Sequence, residues 1–215
     1  MRDLPEACAA TGDQLLTRAA DAARGRRLEY FTLGWNVIEA VVAIGAGVVA
    51  GSIALVGFGA DSVIESLSGA VLLWRLQSHE ADEEREQRAL KMVGGTFLVL
   101  AAYVAFEAAR ELLRRESPET SFVGIGLAVA SLIIMPLLAR AKRRVAVRLD
   151  SWALVADSRQ TDLCAWLSAI LLVGLGLNAL WGWWWADPAA ALVMVPIIVR
   201  EGVQALRGET CDDCH

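Results

Sequence analysis

Residues 52–74 read SIALVGFGADSVIESLSGAVLLW. Wound as a helix at about 1.5 Å per residue, a stretch of this length with no Lys or Arg spans the hydrocarbon core of a bilayer, about 30 Å. Inside it stand Asp61 and Glu65, four residues apart, so a helix sets both carboxylates on one face, one turn from each other. An ionisable side chain near the bilayer centre costs about 2.5 to 3.5 kcal/mol on insertion scales, which makes each of the two a candidate functional residue.

Working outward, similar apolar runs cover residues 31–50, 53–73, 92–113, 122–139, 152–177 and 187–203, and the charges collect in short blocks between them. Apolar side chains make up 56% of the 215 residues, above the usual share of about 45–50% in soluble domains. The fold expected is an all-α integral membrane protein with six transmembrane helices. Its cations are unevenly placed. The tail (Arg2, Arg18, Arg24, Arg26, Arg27), the block 75–91, the block 140–148 and the final Arg200 and Arg207 fall on one side, against Arg110, Arg114 and Arg115 on the other. The excess of Lys and Arg marks the cytoplasmic side, so both termini are expected there. Trp35, Trp74 and Trp152 fall near inner ends and Trp181, Trp183, Trp184 and Trp185 at an outer turn, as interfacial anchors do.

No linker divides the chain, so one transport domain over residues 31–205 is expected, with a cytoplasmic segment 1–30 ahead of it and a short tail 206–215 behind it. Residues 1–27 are polar and show no signal peptide pattern. Small residues at 47–51 and at Gly57, Gly59 and Ala60 would allow close helix approach, and Pro136 and Pro196 fall late in spans four and six.

The fifth run contains LVADSRQTDLCAWLS, residues 154–168. Asp157, Gln160 and Cys164 follow a three-then-four spacing on one helical face, while Asp162 points elsewhere. With spans two and five antiparallel, Asp61 and Cys164 should share one depth, with Glu65 and Gln160 one turn nearer the cytoplasm. Carboxylates, an amide oxygen and a thiolate together suit zinc or cadmium better than magnesium or calcium. A plainer reading pairs Asp61 and Glu65 with Arg159, or with the hydroxyls of Ser62, Ser66, Ser158 and Thr161, in a bundle without cargo. Two carboxylates buried a turn apart repel unless a cation or proton joins them, which favours the site. Asn36 reads as an interhelical hydrogen-bonding residue, Glu39 as lining the path, and Glu107 with Arg110 and Glu111 as a rim.

The segments SIALVGFGADSVIES and ALVADSRQTDLCA resemble the second and fifth membrane helices of the cation diffusion facilitator family, in sequence and order, and the resemblance runs from about residue 33 to 208. It implies a six-span homodimer that exchanges zinc or a related metal for protons. The family's second-helix ligand pair falls on Asp61 and Glu65, and Asp157 matches the acidic residue that precedes the fifth-helix pair. That pair itself, His then Asp in the family, falls here on Gln160 and Cys164. With the His absent, the exchanged proton would ride on Asp61, Glu65 or Cys164, since metal binding displaces protons from its ligands. The chain is similar to the short six-span branch that lacks a C-terminal metal-sensing domain, which leaves dimerisation to the membrane helices.

The chain ends Cys211-Asp-Asp-Cys214-His215, in letters a haem attachment motif. A cytoplasmic tail is the wrong side for attachment of c-type haem, and two readings stay open: a transient metal-capture tail using Cys211, Cys214 and His215, or a solvated acidic tail. His79, Glu80, Asp82, Glu83, Glu84 and Glu86 form an acidic stretch in which Glu84 and Arg88 have ion-pair spacing. Cys8 carries no reading. The sequence therefore points to a multi-pass carrier of a zinc-like divalent cation in a bacterial inner (plasma) membrane, an efflux exchanger with protons as counter-ion. No permanently bound cofactor, nucleic-acid partner or enzyme chemistry is expected. The rival readings are a non-transporting scaffold or metal sensor that uses the tail, and a haem-bearing redox subunit.

Overall fold

The computed structural model describes residues 4–77, 83–115, 118–149 and 151–207. These form six helices and, among the described residues, no strand: α1 Leu4–Ala50, α2 Ile53–Gln77, α3 Glu83–Arg114, α4 Phe122–Leu149, α5 Trp152–Trp181 and α6 Ala186–Arg207. The tail 208–215 with Cys211, Cys214 and His215, and His79, Glu80 and Asp82, lie outside the described residues, as do the side chains of Cys8, Trp74, Glu83, Glu84, Glu86, Arg88 and Trp152.

All six helices are longer than their apolar runs, α1 most of all. α1 starts at Leu4, well ahead of residue 31, and α4 continues through the basic block to Leu149. The extension is packed rather than solvated on one face: Gly25 approaches Val145 and Leu154, and Arg148 pairs with Asp21 at 3.1 Å. Among the described residues, four helical stretches are long and apolar enough to cross a membrane, Thr17–Ala50, Phe122–Leu149, Asp157–Trp181 and Ala186–Arg207. α2 carries Asp61 and Glu65 with several serines yet is as apolar overall as α5, whereas α3, bounded by Lys91 and by Glu107, Arg110 and Glu111, is the most polar of the six.

The helices pair as α1 with α2, α3 with α6 and α4 with α5, and α2 touches α1, α3, α5 and α6. Small residues set the spacing, as expected where helices associate by close packing. A methyl group on Gly59 would stand 2.8 Å from Ile44 Cγ1, and one on Gly94 would stand 2.7 Å from the Gly202 carbonyl oxygen. Phe58, Leu55, Met135, Leu171 and Met194 fill the middle of the bundle.

At the end of the bundle where α1 turns into α2, Gly51 takes φ +67°, a conformation glycine adopts without a Cβ penalty. Ser52 then caps α2, its Oγ accepting from the Leu55 N–H at 3.1 Å. Asp187, wholly buried in the first turn of α6, ties itself to that cap: Ser52 Oγ donates to Asp187 Oδ1 at 2.6 Å and the Ala54 N–H donates to Oδ2 at 3.3 Å. Nearby, α5 ends at Gly182 with φ +62°, and Trp183 and Trp185 stack on the exposed turn that follows, 5.1 Å between ring centroids. Trp35, by contrast, lies inside the bundle, its Nε1–H donating to Ser131 Oγ at 3.1 Å.

Candidate metal centre

Asp61 and Glu65 occupy the middle of α2 and are 6% and 7% exposed. Gly57 and Gly59 bring this part of α2 against Val104 of α3 and Ala43 and Ile44 of α1. On α5, Gln160 and Cys164 lie one turn apart, and the thiol is 2% exposed. All four side chains line one narrow, partly open cavity of about 10 Å³, room for about one water molecule, together with Phe97 of α3, Leu163 and Leu167 of α5, and Ile197, Ile198 and Glu201 of α6. The structure thus brings the two antiparallel pairs to one place. Asp61 forms no hydrogen bond or ion pair among the described residues, and its buried carboxylate lines the cavity beside the carboxylates of Glu65 and Glu201. Among the described residues no three His, Cys, Asp or Glu side chains stand close enough to hold a metal ion between them.

Asp157 goes elsewhere. It joins Lys142 of α4 at 2.5 Å, and the same Nζ reaches Glu29 Oε2 of α1 at 3.2 Å and Thr161 Oγ1 at 3.4 Å. Lys142 is wholly buried, a charge accommodated because two carboxylates and a hydroxyl surround it. Asp162 pairs with Arg143 at an exposed position, and Arg159 lies on the exposed face of α5.

Beside the cavity, Glu39 of α1 is fully buried. Ser131 Oγ donates to its Oε1, and Ser62 Oγ and Cys164 Sγ donate to its Oε2 at 3.0 and 3.7 Å. The thiol is therefore held toward α1 and surrounded by the carboxylates of Glu65, Glu39 and Asp61. Asn36 is buried with an unpartnered Oδ1.

Two residues near these groups escaped a reading by apolar run. Lys142 counts as a loop cation until it is placed on the buried stripe Met135, Leu138, Ala139, Lys142, Val145, Ala146, whose spacing is that of one helix face. Glu201 follows Met194 and Ile198 by the same logic, at i, i+4 and i+7. Glu39, which the sequence reads as lining the path, stands three residues from Asn36 on the inward face of α1.

A model of the cation efflux transmembrane domain matches residues 90–209, more than half of the chain. The chain belongs to the cation efflux family. With four helices of spanning length, it is a multi-pass membrane protein. The matched region takes in Lys142, Asp157, Gln160, Cys164 and Glu201, while Asp61 and Glu65 lie ahead of it. This cation efflux chain is 27% identical over 173 residues to an uncharacterized transporter of Synechocystis sp., a match covering 76% of this chain and 56% of that one. It is 26% identical over 182 residues to transmembrane protein 163 of Xenopus laevis, covering 83% of this chain and 65% of the relative. It is 25% identical over 186 residues to the cadmium, cobalt and zinc/H(+)-K(+) antiporter of Bacillus velezensis, covering 79% and 55%. The chain thus spans between 55% and 65% of the length of these relatives.

Proposed function

We propose that this protein carries a divalent transition-metal cation of zinc-like character across a membrane, by binding it between α2 and α5. The observation that supports the reading is the convergence of Asp61, Glu65, Gln160 and Cys164 on one cavity in the middle of the bundle. Two carboxylates, an amide oxygen and a thiol form a mixed oxygen and sulfur set, which suits zinc, cadmium or cobalt better than magnesium or calcium. The donors stand too far apart to close on an ion in this arrangement. Loading therefore draws α2 and α5 together and turns the Cys164 thiol away from Glu39. The antiporter relative is named for cadmium, cobalt and zinc, in keeping with that donor set.

In this reading all six helices span, with both ends of the chain in the cytoplasm of a bacterial cell, and two copies associate through their membrane helices. Transport is outward, in exchange for protons. The ion is a substrate in passage, held by side chains alone. Asp157 serves the Lys142 ion-pair cluster and is not one of the ligands.

The test is metal flux into proteoliposomes containing the purified protein, read with an internal metal dye and an internal pH dye. Saturable entry of zinc, cadmium or cobalt with opposed proton movement is expected, abolished in Asp61→Ala and weakened for cadmium above all in Cys164→Ser. Absence of saturable flux for any of these metals in folded protein would remove the carrier reading and favour a scaffold or sensor.

A further inference from the structure

We infer that Glu201 is a cation-binding residue of the same cavity, a third carboxylate that α6 sets at its mouth to receive a divalent cation before the ion reaches Asp61 and Cys164. The inference rests on the metal-site reading of the cavity and adds a third helix to it.

Glu201 lines the cavity alongside Asp61 and Glu65. It is only partly buried, whereas those two are more than nine-tenths buried. Among the charges around the Asp61 carboxylate, Glu201 and then Glu39 repel it. Glu39 already satisfies Ser131, Ser62 and Cys164, but Asp61 has no hydrogen bond or ion pair among the described residues. Placing repelling carboxylates around one narrow space raises the free energy of the empty site, and a divalent cation is the ligand that relieves it.

Position along the helices gives Glu201 its place in the sequence of events. It lies six residues from the end of α6 at Arg207, about 9 Å along the axis. Measured from the Ser52–Asp187 bond that holds the other ends of α2 and α6 level, Glu201 stands fourteen residues, about 21 Å, along α6 and Asp61 nine residues, about 14 Å, along α2, so Glu201 is the nearer to the Arg207 end. An ion entering from that end of the bundle thus meets Glu201 first. The contact of Gly94 with Gly202 holds this turn of α6 hard against α3. Carboxylate oxygens bind a still hydrated cation readily, and thiolate binding then selects among those admitted.

The probe is Co(II), titrated into the purified full-length protein in detergent and read by its visible absorption, beside zinc flux in proteoliposomes. Glu201→Gln is expected to weaken Co(II) binding about tenfold, the scale on which carboxylates supporting a metal site act. The zinc concentration for half-maximal flux should rise alike, with the limiting rate kept. Glu201→Asp should recover most of both. Unchanged Co(II) affinity and unchanged half-saturation in Glu201→Gln would overturn the role of Glu201 and leave the carrier intact. Wild-type protein that binds Co(II) in a Glu201-dependent way but carries no metal would uphold Glu201 and overturn the carrier. Wild-type protein that binds no Co(II) would overturn both. If the Gln variant aggregates, Glu201→Ala, which leaves no amide to satisfy, supplies the same readings.

Discussion

Lys142 shows how much a single residue's surroundings decide. By composition it belongs to a basic block; in the structure its ammonium is enclosed by Glu29, Asp157 and Thr161, tying α1, α4 and α5 together. Removing one partner of a buried ion pair costs about 3–5 kcal/mol, because the remaining charges lose their counter-charge. Lys142→Met should therefore lower the thermal midpoint in detergent by at least about 6 °C. The triple variant Glu29→Gln, Lys142→Met, Asp157→Asn should regain most of it. A midpoint unchanged in the single variant would mean that water reaches the cluster. The same scale explains which site residues are legible in the sequence. Asp61 and Glu65 announce themselves because they interrupt an apolar run, where any charge is conspicuous. Glu201 and Lys142 do not, because they sit next to Arg200 and Arg143, where one more charge looks like the edge of a loop. Their inward direction is a matter of helical phase, visible only once the buried stripe of each helix is known.

At the scale of helices, close approach depends on particular glycines, and neighbouring glycines separate packing from propensity. A side chain at Gly94 would collide with backbone atoms of Gly202 and Leu206, which cannot give way, while one at Gly95 would meet nothing within 4 Å. Gly94→Val should destabilise by about 1–3 kcal/mol through overpacking of α3 against α6, and Gly95→Val by less than about 0.5 kcal/mol. Thermal unfolding of the two variants side by side checks this, and equal midpoints would deny the contact. Helix existence is readable in the sequence from the six apolar runs, but helix length is not. The extension of α1 back to Leu4 and of α4 on to Leu149 carries Arg and Asp residues whose pairing, such as Arg148 with Asp21, needs the partner helix in place.

Across the whole molecule, polarity is distributed in the reverse of a soluble bundle. Glu29, Glu39, Asp61, Glu65, Lys142 and Asp187 are buried, while Val41, Val48, Val49, Phe106, Leu137 and Val173 face outward. A surface of that kind is covered in lipid, where apolar side chains face the solvent and polar groups must find partners within. If all six helices span with both termini cytoplasmic, as proposed, periplasm-dependent phosphatase fused after Pro118 or after Gly182 should be active. The same enzyme fused after Arg207 should be inactive. Activity at Arg207 with none at Pro118 or Gly182 would invert the topology, and activity at both Gly182 and Arg207 would mean that α6 does not span. The bond between Asp187 and the start of α2 has a further consequence. It pins α6 to α2 at one end, while Glu201 stands fourteen residues away, about 21 Å along the axis. The two helices then behave as levers on a shared fulcrum: a swing of about ten degrees, less than the usual scatter of helix crossing angles, shifts Glu201 by about 4 Å and leaves the pinned end closed.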